Sequence, residues 1–78
     1  MSNHKVFVYS TTTCPYCHMA KDYFKTKGVE FTDYNVGEDE VKAKEMVEKS
    51  GQMGVPVIDI DGTILVGFRP AEFDRLLS

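Results

Sequence analysis

The chain has 78 residues, of which 42% are hydrophobic and 27% are charged, with 12 acidic and 9 basic side chains and a net charge of -3. This composition is typical of an ordinary globular protein, and the length predicts a single domain over residues 1–78. No run of about 18 apolar residues is available to cross a bilayer, no basic and apolar signal peptide precedes Val6, and the scattered charges form no basic stripe for phosphates. We expect a cytoplasmic protein, a monomer, with neither nucleic acid nor membrane among its partners.

The first half of the chain predicts two strands joined by a helix. Residues 5–9 are β-branched and aromatic, as in a buried strand, and residues 10–13 form a polar loop. A helix begins at Pro15, whose missing N–H has no helical partner in a first turn, and ends at Gly28. Residues 29–34 predict a second strand, parallel to the first because a helix connects the two. The apolar stripe of the helix consists of Tyr16, Met19, Ala20, Tyr23 and Phe24, of which we expect Met19, Tyr23 and Phe24 to be core residues.

The second half predicts a helix, a hairpin and a final helix. Acidic residues at 38–40 mark the first turn of a helix that runs to Lys49 or Ser50 and closes at Gly51. Its apolar face contains Val41, Ala43, Met46 and Val47. Strands at 57–60 and 63–66 flank Asp61-Gly62, which favours a two-residue hairpin turn, and Pro70 begins a helix that buries Phe73, Leu76 and Leu77. The order β-α-β-α-β-β-α predicts an α/β fold, a four-stranded mixed sheet flanked by three helices.

The only two cysteines occur in Cys14-Pro15-Tyr16-Cys17, where the first predicted strand gives way to a helix. The unpaired N–H groups and the dipole of a helix start favour a thiolate, which predicts Cys14 as the nucleophile of disulfide exchange. Cys17 lies one turn further in, where we expect it to be less exposed and to attack the mixed disulfide formed at Cys14. Cys17 is therefore the predicted resolving thiol. Lys21 follows one turn later and would add positive potential, but we expect an exposed helical lysine there.

A metal site is the alternative interpretation of the cysteine pair. Four ligands would require His4 and His18 to converge with Cys14 and Cys17, and His18 adjoins Cys17 on a different helical face. We therefore predict no bound metal or other cofactor. A zinc site, or an iron–sulfur cluster shared between two chains, stays an open alternative.

Three features together resemble the glutaredoxin branch of the thioredoxin fold: Cys14-Pro15-Tyr16-Cys17 after a strand, Val55-Pro56 before a hairpin, and Gly67 after it. The resemblance covers nearly the whole chain, and it implies the thioredoxin fold with a cis peptide bond before Pro56, packed against the cysteines. It also implies a thiol–disulfide oxidoreductase that acts on protein disulfides or protein–glutathione mixed disulfides, with glutathione as the reductant.

The predicted substrate-binding residues surround these cysteines. Tyr16 offers a flat surface beside the reactive sulfur. A cis turn at Val55-Pro56 presents the Val55 backbone to a peptide-like substrate. The segment after the hairpin supplies a docking surface for donor or substrate, made up of Gly67, Phe68 and Arg69.

Three positions depart from the pattern of glutathione-dependent glutaredoxins. Those proteins often carry a basic residue before the first cysteine, Thr before Val-Pro, and Gly-Gly followed by Asp, whereas this chain has residues 11–13 all Thr, Gly54, and Val66-Gly67-Phe68-Arg69-Pro70. Gly67-Phe68-Arg69-Pro70 instead resembles the tail of small redoxins that supply electrons to ribonucleotide reductase and are reduced by thioredoxin reductase. The sequence therefore predicts weak glutathione binding and leaves both glutathione and a flavoprotein reductase as possible donors.

Overall fold

The strands and helices follow in the order that the sequence predicts. A computed structural model describes residues 4–52 and 54–77. The strands are β1 (Val6–Ser10), β2 (Thr32–Asn35), β3 (Val57–Ile60) and β4 (Thr63–Val66), and the helices are α1 (Pro15–Thr26), α2 (Glu40–Ser50) and α3 (Pro70–Leu77).

The four strands form one mixed sheet in the order β2-β1-β3-β4. β1 and β2 pair in parallel, with α1 as the connection, while β3 is antiparallel to both β1 and β4. A parallel pair needs a crossover of this kind, and an antiparallel pair can be joined by a short turn. The arrangement confirms the predicted α/β fold, the thioredoxin fold with its four-stranded mixed sheet and three helices.

Alternate residues of the strands face opposite sides of the sheet and build two cores. The first core lies on the side of α1 and α3, and its buried members are Val6, Val8, Ala20, Phe24, Ile58, Ile60 and Phe73. The second core lies on the side of α2, and its buried members are Tyr9, Met46 and Val57. The sheet is therefore covered by helices on both faces.

Three predicted elements have boundaries that are wrong by a few residues. β1 occupies residues 6–10 and β2 residues 32–35, later in the chain than predicted, and α2 starts at Glu40. β2 starts late because Val29 and Phe31 pack against the first core, and the Val29 N–H donates to the Phe24 carbonyl at 2.9 Å. α2 starts late because the Asp39 side chain caps it by accepting the Lys42 N–H at 3.1 Å.

Apart from Tyr16, two residues predicted on apolar helix faces are exposed. Met19 is 45% exposed and Val41 is 74% exposed. α1 buries Cys17, Ala20 and Phe24, and at 3.6 residues per turn Met19 projects well away from that face of the helix. α2 buries Met46, and Val41, five residues earlier, points away from that side.

Candidate active site

The register of the sheet brings the predicted site segments to one end of it. Tyr9, near the end of β1, pairs with Val57 at the start of β3, and Val57 pairs with Val66 at the end of β4. The segment that follows β1, the segment that precedes β3 and the segment that follows β4 therefore share this end of the sheet. These segments are residues 11–17, 54–56 and 67–69.

Cys14 is the N-cap of α1, as the sequence predicts. Its backbone is extended, with φ -95° and ψ 109°, and Pro15 occupies the first helical turn. The Cys14 Sγ accepts the N–H of Cys17 at 3.2 Å, and the Cys14 carbonyl accepts the N–H of His18 at 3.3 Å. A capping side chain of this kind satisfies one of the unpaired donors of a helix start, and a negative sulfur does so better than a neutral one. The half-buried Cys14 sulfur is thus placed where negative charge is stabilised.

Cys17 has a different environment from Cys14. Its side chain is fully buried, and burial is the main reason that the pKa of its thiol rises from 9.0 to about 12. A hydrogen bond with the Cys14 sulfur and the charge of that sulfur raise the pKa further, against a backbone hydrogen bond from Thr11 and the charge of Lys21. At neutral pH Cys17 is therefore a thiol and Cys14 is the sulfur that accepts hydrogen bonds.

The Val55–Pro56 peptide bond is cis, which confirms the prediction from the resemblance. Pro56 is fully buried, and Val55 is half-buried against the second core. The Pro56 carbonyl accepts the N–H of Gly67 at 2.8 Å, so the segments before β3 and after β4 are joined directly. Gly67 has φ +89°, a conformation that glycine adopts without the steric cost that other residues incur.

The remaining predicted binding residues differ in their exposure. Tyr16 is 61% exposed on the first turn of α1, on the same side as Met19 three residues later. Phe68 is half-buried against the first core, with its ring centroid 6.3 Å from that of Tyr23 and 5.9 Å from that of Phe73. Arg69 is exposed, and its Nε donates to the Val66 carbonyl at 2.9 Å. Tyr16 and Arg69 are thus accessible at the protein surface, while Phe68 packs against the first core.

The environment of Lys21 was predicted wrongly. Only 17% of its side chain is exposed, and its Nζ donates to Asp33 Oδ2 at 3.0 Å. The other oxygen of that carboxylate, Oδ1, accepts a hydrogen bond from the hydroxyl of buried Ser10 at 2.7 Å. The sequence carries a signal for this arrangement once the register is known, because Asp33 pairs with Val8 of the first core and so faces α1.

The two histidines considered as metal ligands have other contacts. His4 Nδ1 lies 2.5 Å from Asp61 Oδ2, and His18 Nε2 lies 3.1 Å from the Thr12 carbonyl oxygen. Within residues 4–52 and 54–77, no three His, Cys, Asp or Glu side chains are grouped so as to hold a metal ion. The same part of the chain contains no helix that is both long enough and apolar enough to cross a membrane.

Comparisons with a family model and with known proteins point to the same family. A family model described as Glutaredoxin matches residues 6–65. An uncharacterized glutaredoxin-like 8.6 kDa protein in the rubredoxin operon of Clostridium pasteurianum is 51% identical over 71 residues, which cover 91% of this chain and 95% of that protein. Glutaredoxin 3 of Escherichia coli strain K12 is 40% identical over 62 residues, 80% of this chain and 75% of that protein.

A solved structure adds a second kind of relative. The glutaredoxin-like protein NrdH-redoxin from Escherichia coli superimposes with a TM-score of 0.80 at 28% identity, over 92% of this chain and 93% of that one. Its structure is presented as the basis for a thioredoxin-like activity profile. The chain is therefore similar both to glutaredoxins and to a redoxin of thioredoxin-like activity.

Proposed function

This chain belongs to the glutaredoxin family, and from that membership we propose that it reduces protein disulfides and protein–glutathione mixed disulfides through a Cys14/Cys17 dithiol. Thiol–disulfide oxidoreductase chemistry is the activity that the family supports. One observation carries the assignment of roles: Cys14 caps α1 with its sulfur, while Cys17 is buried and has a thiol pKa of about 12. We place the protein in the cytoplasm, where thiols are kept reduced and a free dithiol can act as a reductant.

The proposed reaction has two exchanges. In the first, the Cys14 thiolate attacks one sulfur of a substrate disulfide, a Cys14–substrate S–S bond forms, and the other substrate sulfur leaves as a thiolate with the bonding electrons. In the second, Cys17 loses its proton and attacks the Cys14 sulfur. The Cys14–Cys17 bond forms, the second substrate thiolate leaves, and solvent protonates it. The substrate is reduced by two electrons and the protein is oxidised by two.

Separate cysteine variants test these roles. Cys14→Ser should lose all activity, because no nucleophile remains at the helix start. Cys17→Ser should keep glutathione-dependent removal of glutathione from a mixed disulfide, which needs only Cys14, and should lose the reduction of protein disulfides that require both thiols. The measurements are initial rates with a glutathionylated peptide and with a disulfide-bonded protein, in the presence of glutathione, glutathione reductase and NADPH.

Both variants keep a side chain of nearly the same size, and circular dichroism verifies that they fold. An equal loss of both activities in Cys17→Ser would contradict the division of roles. Full activity of Cys14→Ser on either substrate would contradict the assignment of the nucleophile.

We propose further that glutathione is an inefficient reductant of this protein. Thr11, Gly54 and Arg69 stand where glutathione-dependent relatives tend to have basic, Thr and acidic residues, so the contacts that hold the tripeptide are reduced in number. Each charged contact of this kind contributes about 1 to 3 kcal/mol to binding. The similarity to NrdH-redoxin favours the alternative donor, a thioredoxin reductase, and with it the alternative function of supplying electrons to ribonucleotide reductase.

Arg69 provides the test of the donor because it is exposed and lies two residues after Gly67, whose N–H donates to the Pro56 carbonyl. We expect Arg69→Ala to lower the rate with the preferred donor by severalfold, measured in parallel with glutathione and with thioredoxin reductase plus NADPH. Arg75→Ala is the control, because it removes the same charge from the far turn of α3, where Arg75 pairs with Glu72 at 2.6 Å. Unchanged rates with both donors would show that the segment after β4 has no docking role.

A further inference from the structure

The second exchange places an unusual demand on Cys17. A fully buried thiol with a pKa of about 12 is almost completely protonated at neutral pH, yet it must attack as a thiolate. In the mixed disulfide the Cys14 sulfur is bonded to substrate and no longer carries charge, so the contribution of that sulfur to the high pKa disappears. Burial remains, and the groups that still favour the Cys17 thiolate are the Thr11 backbone and the Lys21 ammonium.

One carboxylate contacts both Lys21 and the residue that precedes Thr11. Asp33 Oδ2 accepts from Lys21 Nζ at 3.0 Å, and Asp33 Oδ1 accepts from the Ser10 hydroxyl at 2.7 Å. Ser10 is 2% exposed and directly precedes Thr11 in the chain. Asp33 of β2 thus connects the lysine of α1 to the end of β1, from which the loop to Cys14 departs.

The other groups near Cys17 do not duplicate this charge. The His18 ring lies against the Thr12 carbonyl, and the Val55-Pro56 segment has no titratable side chain. On the adjoining strands, Ser10 and Asp33 are the polar residues in contact with Lys21 or with each other. Lys21 lies four residues after Cys17 on α1, so the two side chains are neighbours on one face of the helix, and the Lys21 charge favours the Cys17 thiolate.

We propose that Lys21, held by Asp33, is a positioning residue for the resolving step, where its ammonium stabilises the Cys17 thiolate during attack on the Cys14–substrate disulfide. The inference rests on the proposed function and concerns only its second exchange. The Cys17 proton passes to solvent, the Cys14–Cys17 bond forms, and the Cys14–substrate bond breaks to release the substrate thiolate. Lys21 neither gains nor loses a proton, so the step needs no reactant besides those already named.

Isolation of the second exchange gives the test. A glutathione mixed disulfide at Cys14 is trapped at acid pH, where Cys17 stays protonated, and a jump to a series of higher pH values starts the release of glutathione. In Lys21→Met we expect about threefold slower release at pH 7 and a pH profile shifted upward by about half a unit, because the Lys21 charge is the smallest of the contributions to the Cys17 pKa. Lys21→Arg keeps the charge and should restore most of the rate.

The matched control is Lys25→Met, which removes the same charge from the exposed side of α1, about two turns from Cys17. We expect its rate and pH profile to equal those of the wild type. An unchanged pH profile in Lys21→Met, or an equal shift in Lys21→Met and Lys25→Met, would overturn the inference.

A second measurement is independent of turnover. In a Cys14→Ser background the rate of Cys17 alkylation below its pKa reports the thiolate fraction, and addition of Lys21→Met should lower that rate about threefold at each pH. Circular dichroism establishes that each variant is folded, and an unchanged alkylation rate in a folded protein would again overturn the inference. If the wild type itself released no glutathione after the pH jump, the proposed function would fail and the inference would fail with it. Release in the wild type with no effect of Lys21→Met would overturn the inference alone.

Discussion

The different environments of the two cysteines predict a large difference in their reactivity toward alkylating agents. The pKa of Cys17 is raised from 9.0 to about 12, a difference of three units. Because the thiolate is the reactive form, this lowers the reactive fraction of Cys17 at pH 7 about 1,000-fold relative to an unperturbed thiol. Complete burial of the side chain slows the reaction further.

Iodoacetamide and peptide mapping test this prediction. The reduced protein at pH 7 should gain one label per chain, at Cys14, and in guanidinium chloride both cysteines should react. As the pH is raised, the slow labelling of Cys17 should increase about tenfold per unit, since its thiolate fraction does so well below the pKa. Labelling of Cys17 in the folded protein within tenfold of the rate at Cys14 would refute the asymmetry on which the division of roles depends.

Three further predictions concern stability. Because the Cys17 pKa is about 12 in the folded protein against an ordinary 9.0, the unfolded chain releases this proton first as pH rises. The free energy of unfolding of the reduced protein should therefore fall from about pH 9 upward, by up to about 1.4 kcal/mol per pH unit. Urea titrations of Cys17→Ser should show a flatter dependence on pH. An unchanged slope in that variant would contradict the burial of the thiol. Lys49→Met removes the ammonium that lies 3.0 Å from Asp59 Oδ2, a carboxylate whose side chain is 9% exposed. We expect this variant to lower the free energy of unfolding by about 2 kcal/mol. The control Lys44→Met, on the exposed side of α2, should lower it by less than about 0.5 kcal/mol. Equal losses in the two lysine variants would contradict a specific role for the ion pair. Gly51→Ala places an alanine at the residue with φ 73° that ends α2, where nothing lies within 4 Å of the new methyl group. The strained backbone should lower the free energy of unfolding by about 1 kcal/mol, which corresponds to a melting temperature lower by about 6 °C. No change in melting temperature would contradict a purely conformational cost.

Local signals in the sequence were sufficient for most of the fold. Alternation and β-branched residues located the strands, Pro15 and Pro70 the starts of two helices, and Asp61-Gly62 the hairpin, whose two residues have positive φ of 52° and 93°. Each of these signals acts within a few residues, because the conformational preference belongs to the residue itself or to its nearest neighbours. Element order and fold class followed from such signals, while strand ends, which depend on pairing partners, were misplaced.

The signal for the proposed nucleophile was equally local. Cys14 precedes a proline-started helix, and the N-terminal dipole of that helix is a property of the segment alone. The docking residues were inferred from the resemblance, and the structure shows that Phe68 makes core contacts while Tyr16 is exposed. Periodicity could not separate Met19 from the core, because a stripe of apolar residues does not reveal which edge of it a neighbouring strand covers.

Tertiary structure alone decided the electrostatic environment of Cys17. Burial of Cys17 requires α1 to lie on the sheet, and the partners of Lys21 come from other elements: Asp33 is 12 residues from Lys21, and Ser10 is 23 residues from Asp33. From the sequence, Lys21 was expected to be exposed, since most lysines are and nothing local placed a carboxylate beside it. Parallel pairing of β1 and β2 turns Asp33 toward α1, and this register is fixed by packing of the whole sheet against its helices. A charge–charge interaction depends on distance and dielectric, and both are set only when distant parts of the chain are folded together.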